Sequence, residues 1–129
     1  MTTEIMKDQW REFCRKLSLD RQDWQTSVQV LSSESGAQML SDGLPFIGLT
    51  FESDSSGEKF ELSTGTGGDI YQTHSILNPK KVAMENEPDK VGTVLDIEDE
   101  SGTKTLVRFV RPASPPAAFV KGDLLAKKA

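Results

Sequence analysis

The sequence predicts an α+β domain that is mainly β, with one N-terminal helix packed on an antiparallel, strongly curved sheet or small barrel of about six or seven short strands. Three observations predict it. A helical period of apolar residues lies near the N-terminus, alternation replaces it from Trp24 to Phe109, and turn formers interrupt that alternation at intervals of about ten residues.

The helix comes first. Met6, Trp10, Phe13, Cys14 and Leu17 recur at steps that stack them on one face, leaving Lys7, Asp8, Glu12, Arg15 and Lys16 toward water. Thr3 is suited to the N-cap and Glu4 to the positive end of the helix dipole, with Arg15 and Lys16 at the negative end. These signals bound the helix at about Glu4 to Leu17, and its Trp-Phe-Leu stripe reads as core.

Strands follow. Trp24, Thr26, Val28 and Val30 alternate with Gln25, Ser27 and Gln29, the pattern of a half-buried strand. Ser32 to Gly43 is rich in turn formers, with breaks at Gly36 and Gly43; Leu44 to Phe51 then reads as a strand that Pro45, lacking an N–H, places at an edge. Asp54-Ser-Ser-Gly57 reads as a hairpin loop leading to a strand with Phe60 and Leu62, and Thr64 to Asp69 as a polar loop. Ile70 to Leu77 reads as a strand, Asn78-Pro79 as a turn, Lys81 to Glu85 as a short strand and Glu85 to Lys90 as an acidic loop. The last hairpin is the clearest: Val94 to Glu98 alternates, Asp99 to Gly102 turns, and Thr105, Val107 and Phe109 share one face.

The 129 residues, 36% hydrophobic and 27% charged, suit one core without disulfides or metals. The expected division is a single globular domain over 1–111, with the helix at about 4–17 and strands at about 24–110. A Pro/Ala-rich, basic tail over 112–129 is expected to be mobile. Up to Thr103 there are 9 Lys/Arg against 19 Asp/Glu, whereas Lys104 to Ala129 carries 6 Lys/Arg against Asp123 alone. So acidic a body disfavours nucleic acid and anionic membrane as partners. Cys14 is the one cysteine, as in a reducing compartment, and the N-terminus lacks the basic start and apolar run of a signal peptide, so the expected location is cytoplasmic.

Several segments stand out, in order: Gln9-Trp10-Arg-Glu-Phe13, Trp24-Gln-Thr-Ser-Val-Gln-Val-Leu31, Gly36-Ala-Gln38, Leu44-Pro-Phe-Ile-Gly48, Thr73-His-Ser-Ile76 with Asn78-Pro79, and Gly102-Thr-Lys-Thr-Leu-Val-Arg-Phe109. In that order they resemble a family of small bacterial proteins, domain of unknown function 5335. Together they span about residues 7–110, while Leu62 to Tyr71 and the tail after Phe109 depart from the family pattern. The resemblance implies the fold unit and a bacterial source; it implies no activity.

Catalysis lacks its usual players. His74 is the sole imidazole, and Cys14 lies on the apolar helix face, where burial makes a thiol inert. One His and one Cys cannot form a structural zinc site, and Asp96, Glu98, Asp99 and Glu100 do not follow the calcium-loop template. Gly65-Thr-Gly67-Gly68-Asp69 lacks the Lys and the strand-to-helix context of a phosphate loop. The chain is therefore expected to be no enzyme, with no catalytic residue, metal or cofactor. The favoured function is a protein interaction module whose partner is another protein or a second copy, self-associating through an unpaired strand edge such as Leu44 to Phe51. Phe119, Leu124 and Leu125 in the tail are candidate anchors. The alternative is a barrel binding a small ligand or nucleic acid, with His74, Lys104, Arg108 and Arg111 about its mouth and Lys80 and Lys81 nearby.

Overall fold

The computed structural model describes residues 2–65, 71–87 and 92–111. Its elements are β1 (Thr2–Ile5), a 3-10 turn (Lys7–Gln9), α1 (Trp10–Asp20), β2 (Gln25–Ser32), β3 (Gly36–Asp54), β4 (Gly57–Gly65), β5 (Tyr71–Leu77), β6 (Pro79–Glu87), β7 (Gly92–Asp99) and β8 (Lys104–Val110). The eight strands form one antiparallel sheet in the order β1-β6-β7-β8-β2-β3-β4-β5.

The sheet curls without closing, which corrects the barrel alternative: β1 and β5 stand at opposite ends of the order. Its curl comes from β3, whose first half pairs with β2 and whose second half, from Phe46, pairs with β4 on the other side. Pro45 sits at this change of partner, where its missing N–H is tolerated. The expected loop from Ser32 to Gly43 is instead a tight turn, Ser33–Ser35, followed by nearly half of β3. Composition misleads there because its glycine serves a bulge: Gly43, at φ +93°, is an extra residue between Asp42 and Leu44, which oppose Ser27 and Thr26.

The N-terminus also differs from expectation. Thr3 and Glu4 belong to β1, paired with Met84 and Ala83, so Thr3 is no N-cap; the α-helix begins at Trp10 and runs to Asp20. A strand wins here because β6 offers backbone partners that a helix starting at Glu4 would leave unused. Met6 is thereby exposed, and Arg15 and Lys16 lie mid-helix rather than in its last turn. Trp10, Cys14 and Leu17 are buried as the period predicts, and Phe13 is partly buried against them.

Inward-facing residues of both halves of the sheet form one core. Trp10 lies edge-on to Phe51 at 5.4 Å and tilted to Phe60 at 5.3 Å, while Phe46 lies edge-on to Phe109 at 4.9 Å. The Trp10 indole N–H donates to the Ile5 carbonyl at 3.0 Å, tying helix start to β1. The β7–β8 hairpin matches its pattern residue for residue: Leu95, Ile97, Val107 and Phe109 are fully buried. Its turn and that of β3–β4 share Asp-x-Ser-Gly, in which Asp99 Oδ1 accepts from the Ser101 N–H and hydroxyl, and Asp54 Oδ1 from those of Ser56.

Candidate functional site

A curled open sheet has free edges, and each edge must be explained. The second half of β3 has β4 on one side and α1 on the other. Phe46 exchanges backbone hydrogen bonds with the segment after the helix, its N–H donating to the Trp24 carbonyl at 2.8 Å and its carbonyl accepting from the Asp23 N–H at 2.9 Å. The Ser18 hydroxyl accepts from the Leu49 N–H at 3.0 Å and donates to the Leu49 carbonyl at 3.2 Å. Arg11 donates to the Phe51 carbonyl at 3.2 Å, with its guanidinium 5.3 Å from the Phe51 ring centre. Leu44 to Phe51 is therefore not the unpaired edge that its sequence suggests: Leu44 pairs with β2, and α1 together with the segment after it supplies the partners that a strand would beyond that point. The edge at β1 is four residues long and carries Glu4.

β5 is different. It runs seven residues in unbroken register with β4, and among the described residues no strand pairs with its other side. It contains no Lys, Arg, Asp, Glu or Pro and no bulge, the devices that blunt an edge. Thr73 and Ser75 are exposed, as is Leu77 at its end. The end is held by Asn78, in a left-handed conformation (φ +53°), whose N–H donates to the Glu58 carbonyl at 2.9 Å and whose carbonyl accepts from the Glu100 N–H at 3.0 Å.

The inward side of β5 walls a cavity of about 330 Å³. Ser41, Thr64, Gln72, Thr73 and His74 supply its polar groups, and Val28, Leu40 and Leu62 its apolar lining. His74 pairs in register with buried Leu62 and is half-buried, and burial lowers its imidazole pKa below the ordinary 6.5. The Ser41 hydroxyl oxygen is shielded from solvent and has no hydrogen-bond partner among the described residues. Sequence reasoning reached His74 but missed Ser41, placed in a supposed loop. The edge of β5, unpaired among the described residues, has no distinguishing local signal, because Trp24 to Ser33 and Ser35 to Ser41 also lack charged side chains and proline.

The basic residues do not join His74. Lys104 and Arg108 project from the exposed face of β8, opposite to the side that buries Thr105, Val107 and Phe109. In register, Glu98 lies between Lys81 and Lys104, and the row through Arg108 reaches Glu85, by way of Val94, on one side and Asp42, by way of Ser27, on the other. Lys80 lies 4.0 Å from Glu98, and the Arg111 guanidinium stands 5.5 Å from the Trp24 ring centre. Basic groups thus alternate with acidic ones instead of forming a continuous positive patch. Phe119, Leu124, Leu125 and the rest of 112–129 lie outside the described residues, as do 66–69 of the Gly-rich stretch and Ile70.

Asp96 sits on that same outer face, where burial raises its carboxyl pKa, and one of its oxygens has no partner among the described residues. Cys14 is buried, with its thiol pushed up to about 12. Among the described residues no group of three His, Cys, Asp or Glu side chains is placed to hold a metal ion, and no helix is long and apolar enough to cross a membrane.

Comparison with known proteins gives kinship without a role. The chain is 29% identical over 114 residues to an uncharacterized protein of Aquifex aeolicus (strain VF5), covering 88% of this chain and 96% of that protein. No solved structure matches it. The model of the Family of unknown function (DUF5335) matches residues 1–118, extending past the 7–110 that the resembling segments span on both sides, and the chain belongs to that family.

Proposed function

We propose that the protein is a non-catalytic interaction module that self-associates by antiparallel pairing of β5 with β5 of a second copy. One observation carries this reading: β5 is the one long edge among the described residues without capping, charge, proline or bulge. A second copy is the occupant because a two-fold pairing sets each strand against itself. Thr73 and Ser75 would then face small hydroxyl side chains, a favourable cross-strand combination. Self-pairing of β1 would set Glu4 against Glu4.

The absence of catalysis from this reading is supported by the state of the candidate nucleophiles. Cys14 is buried and protonated. Ser41 and His74 line one cavity, but among the described residues no carboxylate lines it with them to orient the imidazole as a general base. A lone buried thiol also fits the cytoplasmic setting in which we place the protein.

Native mass spectrometry together with sedimentation across a concentration series tests the pairing. The wild type is expected to show a dimer; Ser75→Lys and Ser75→Glu are each expected to be monomeric through like-charge repulsion, and an equimolar mixture of the two to form the heterodimer. A wild-type monomer at all concentrations, or a dimer indifferent to both substitutions, overturns the proposal.

A further inference from the structure

The cavity behind β5 has no place in strand pairing, and it holds the chain's single imidazole. We propose that it is a binding site for a small, uncharged molecule bearing both hydrogen-bond donors and acceptors, of the amide-substituted heteroaromatic class, held between Ser41 and His74.

Four observations lead there. The volume, about 330 Å³, lies at the small end of ligand pockets, which run from roughly 300 to 1,000 Å³. Among the described residues its lining contains no Lys, Arg, Asp or Glu, so a charged ligand would lose hydration with no counter-charge from them in return. Val28, Leu40 and Leu62 offer an apolar surface to a ring, while the Thr64 hydroxyl, the Gln72 amide and the His74 imidazole offer both donors and acceptors. The Ser41 oxygen is the fourth: it is shielded at the cavity wall and unpartnered among the described residues, and a turn of its side chain toward a bound polar group would give it a partner. The depressed basicity of His74 keeps its ring neutral at physiological pH, able to donate from one nitrogen and accept at the other.

Elements distant in sequence make this site. Ser41 comes from the first half of β3, beside the Leu40 bulge, where Val28 opposes Ser41 and Gln29 opposes Met39. His74 comes from β5, in register with Leu62. They meet because β3 changes partners at Pro45 and carries β4 and β5 over the first half-sheet.

Because His74 is the only histidine, its ring resonances report the cavity without assignment ambiguity. The probe is nicotinamide, titrated to about 10 mM into the 15N-labelled full-length protein, with nicotinate as its charged isostere. Saturable shifts of the His74 ring signals and of the Ser41, Thr64 and Gln72 amides are expected with nicotinamide and not with nicotinate. Ser41→Ala is expected to weaken the nicotinamide effect about tenfold while the remaining amide spectrum stays native. The monomeric Ser75→Lys variant is expected to bind as the wild type does, so that failure of strand pairing and failure of this site are told apart. No saturable shift with nicotinamide, equal binding of nicotinate, or indifference to Ser41→Ala overturns the proposal.

Discussion

Two strand edges of one sheet are treated in opposite ways. The outer side of β3 from Phe46 to Phe51 meets backbone groups of Asp23 and Trp24, the hydroxyl of Ser18 and the guanidinium of Arg11. β5 meets none of these, although its register with β4 is unbroken and its end is fastened by Asn78. The difference teaches what α1 is for. Besides burying Trp10, Cys14 and Leu17, the helix replaces a missing strand beside β3, so that among the described residues β5 is the long strand edge left without a partner.

The largest way to break the comparison is to dislodge the helix. Trp10 is 2% exposed, contacts the rings of Phe51 and Phe60, and holds Ile5 through its indole N–H. Trp10→Ala is expected to cost about 3 to 5 kcal/mol in urea unfolding. It is also expected to expose the β3 edge, so that the variant associates in a manner Ser75→Lys no longer suppresses. A loss below about 1 kcal/mol would mean that the helix does not rest on this indole.

Ser18→Ala sharpens the point at one residue. It leaves α1 packed but strips both bonds from the Leu49 peptide, and the expected loss is about 1 to 3 kcal/mol, the range for buried polar groups left unpaired. Ser18→Thr is not an equivalent replacement: Gly48 stands against the serine, its position for a Cβ lying only 3.4 Å from the hydroxyl. Stability of Ser18→Ala within about 0.5 kcal/mol of wild type would show that water caps β3 as well as the serine does.

How far such contrasts were legible in the sequence depends on the range of the interactions involved. The β7–β8 hairpin could be read residue by residue because its alternation, its Asp-Glu-Ser-Gly turn and its pairing are all local. The N-terminus could not, since Thr2 to Ile5 becomes a strand only through β6, some eighty residues away in sequence. Glycine and serine in Ser32 to Gly43 looked like a loop because a bulged strand and a loop draw on the same residues. For the same reason His74 stood out as the sole imidazole, whereas Ser41, its counterpart across the cavity, had no local signal. Lys104 and Arg108 were legible as a basic pair but not as members of rows that alternate in sign, which only the cross-strand register creates.

Asn78 bears on whether β5 is rigid enough to pair. Its left-handed backbone is tolerated by Asn and is unstrained in Gly, whereas a Cβ without a polar side chain adds strain of roughly 1 to 2 kcal/mol. Asn78→Ala is expected to lose about that much in denaturant unfolding, and Asn78→Gly to lose less. If pairing needs a β5 fixed at both ends, the Ala variant also dimerises more weakly. Equal stability of the two variants would remove the conformational argument and leave only the side chain of Asn78.

The smallest effect concerns the inward side of β5 and needs its sign worked out. Burial depresses the folded pKa of His74 below its ordinary 6.5, so the unfolded chain takes up this proton at a higher pH than the folded one. The resulting stability is fully present above about pH 6.5 and is lost as the pH falls through that value toward the lower folded pKa. His74→Gln, which cannot titrate, is therefore expected to lose less stability than the wild type between about pH 8 and pH 5, as read by urea midpoints at each pH. Most of the acid sensitivity remains in both, because the carboxylates are unchanged: Asp54, held low by the Ser56 hydroxyl, loses its contribution only further into acid. The comparison with the exposed side of β5 is direct, since Ser75→Lys should leave the His74 titration where it is. A His74 ring that titrates at or above 6.5 in the folded protein would place it in water rather than in the cavity.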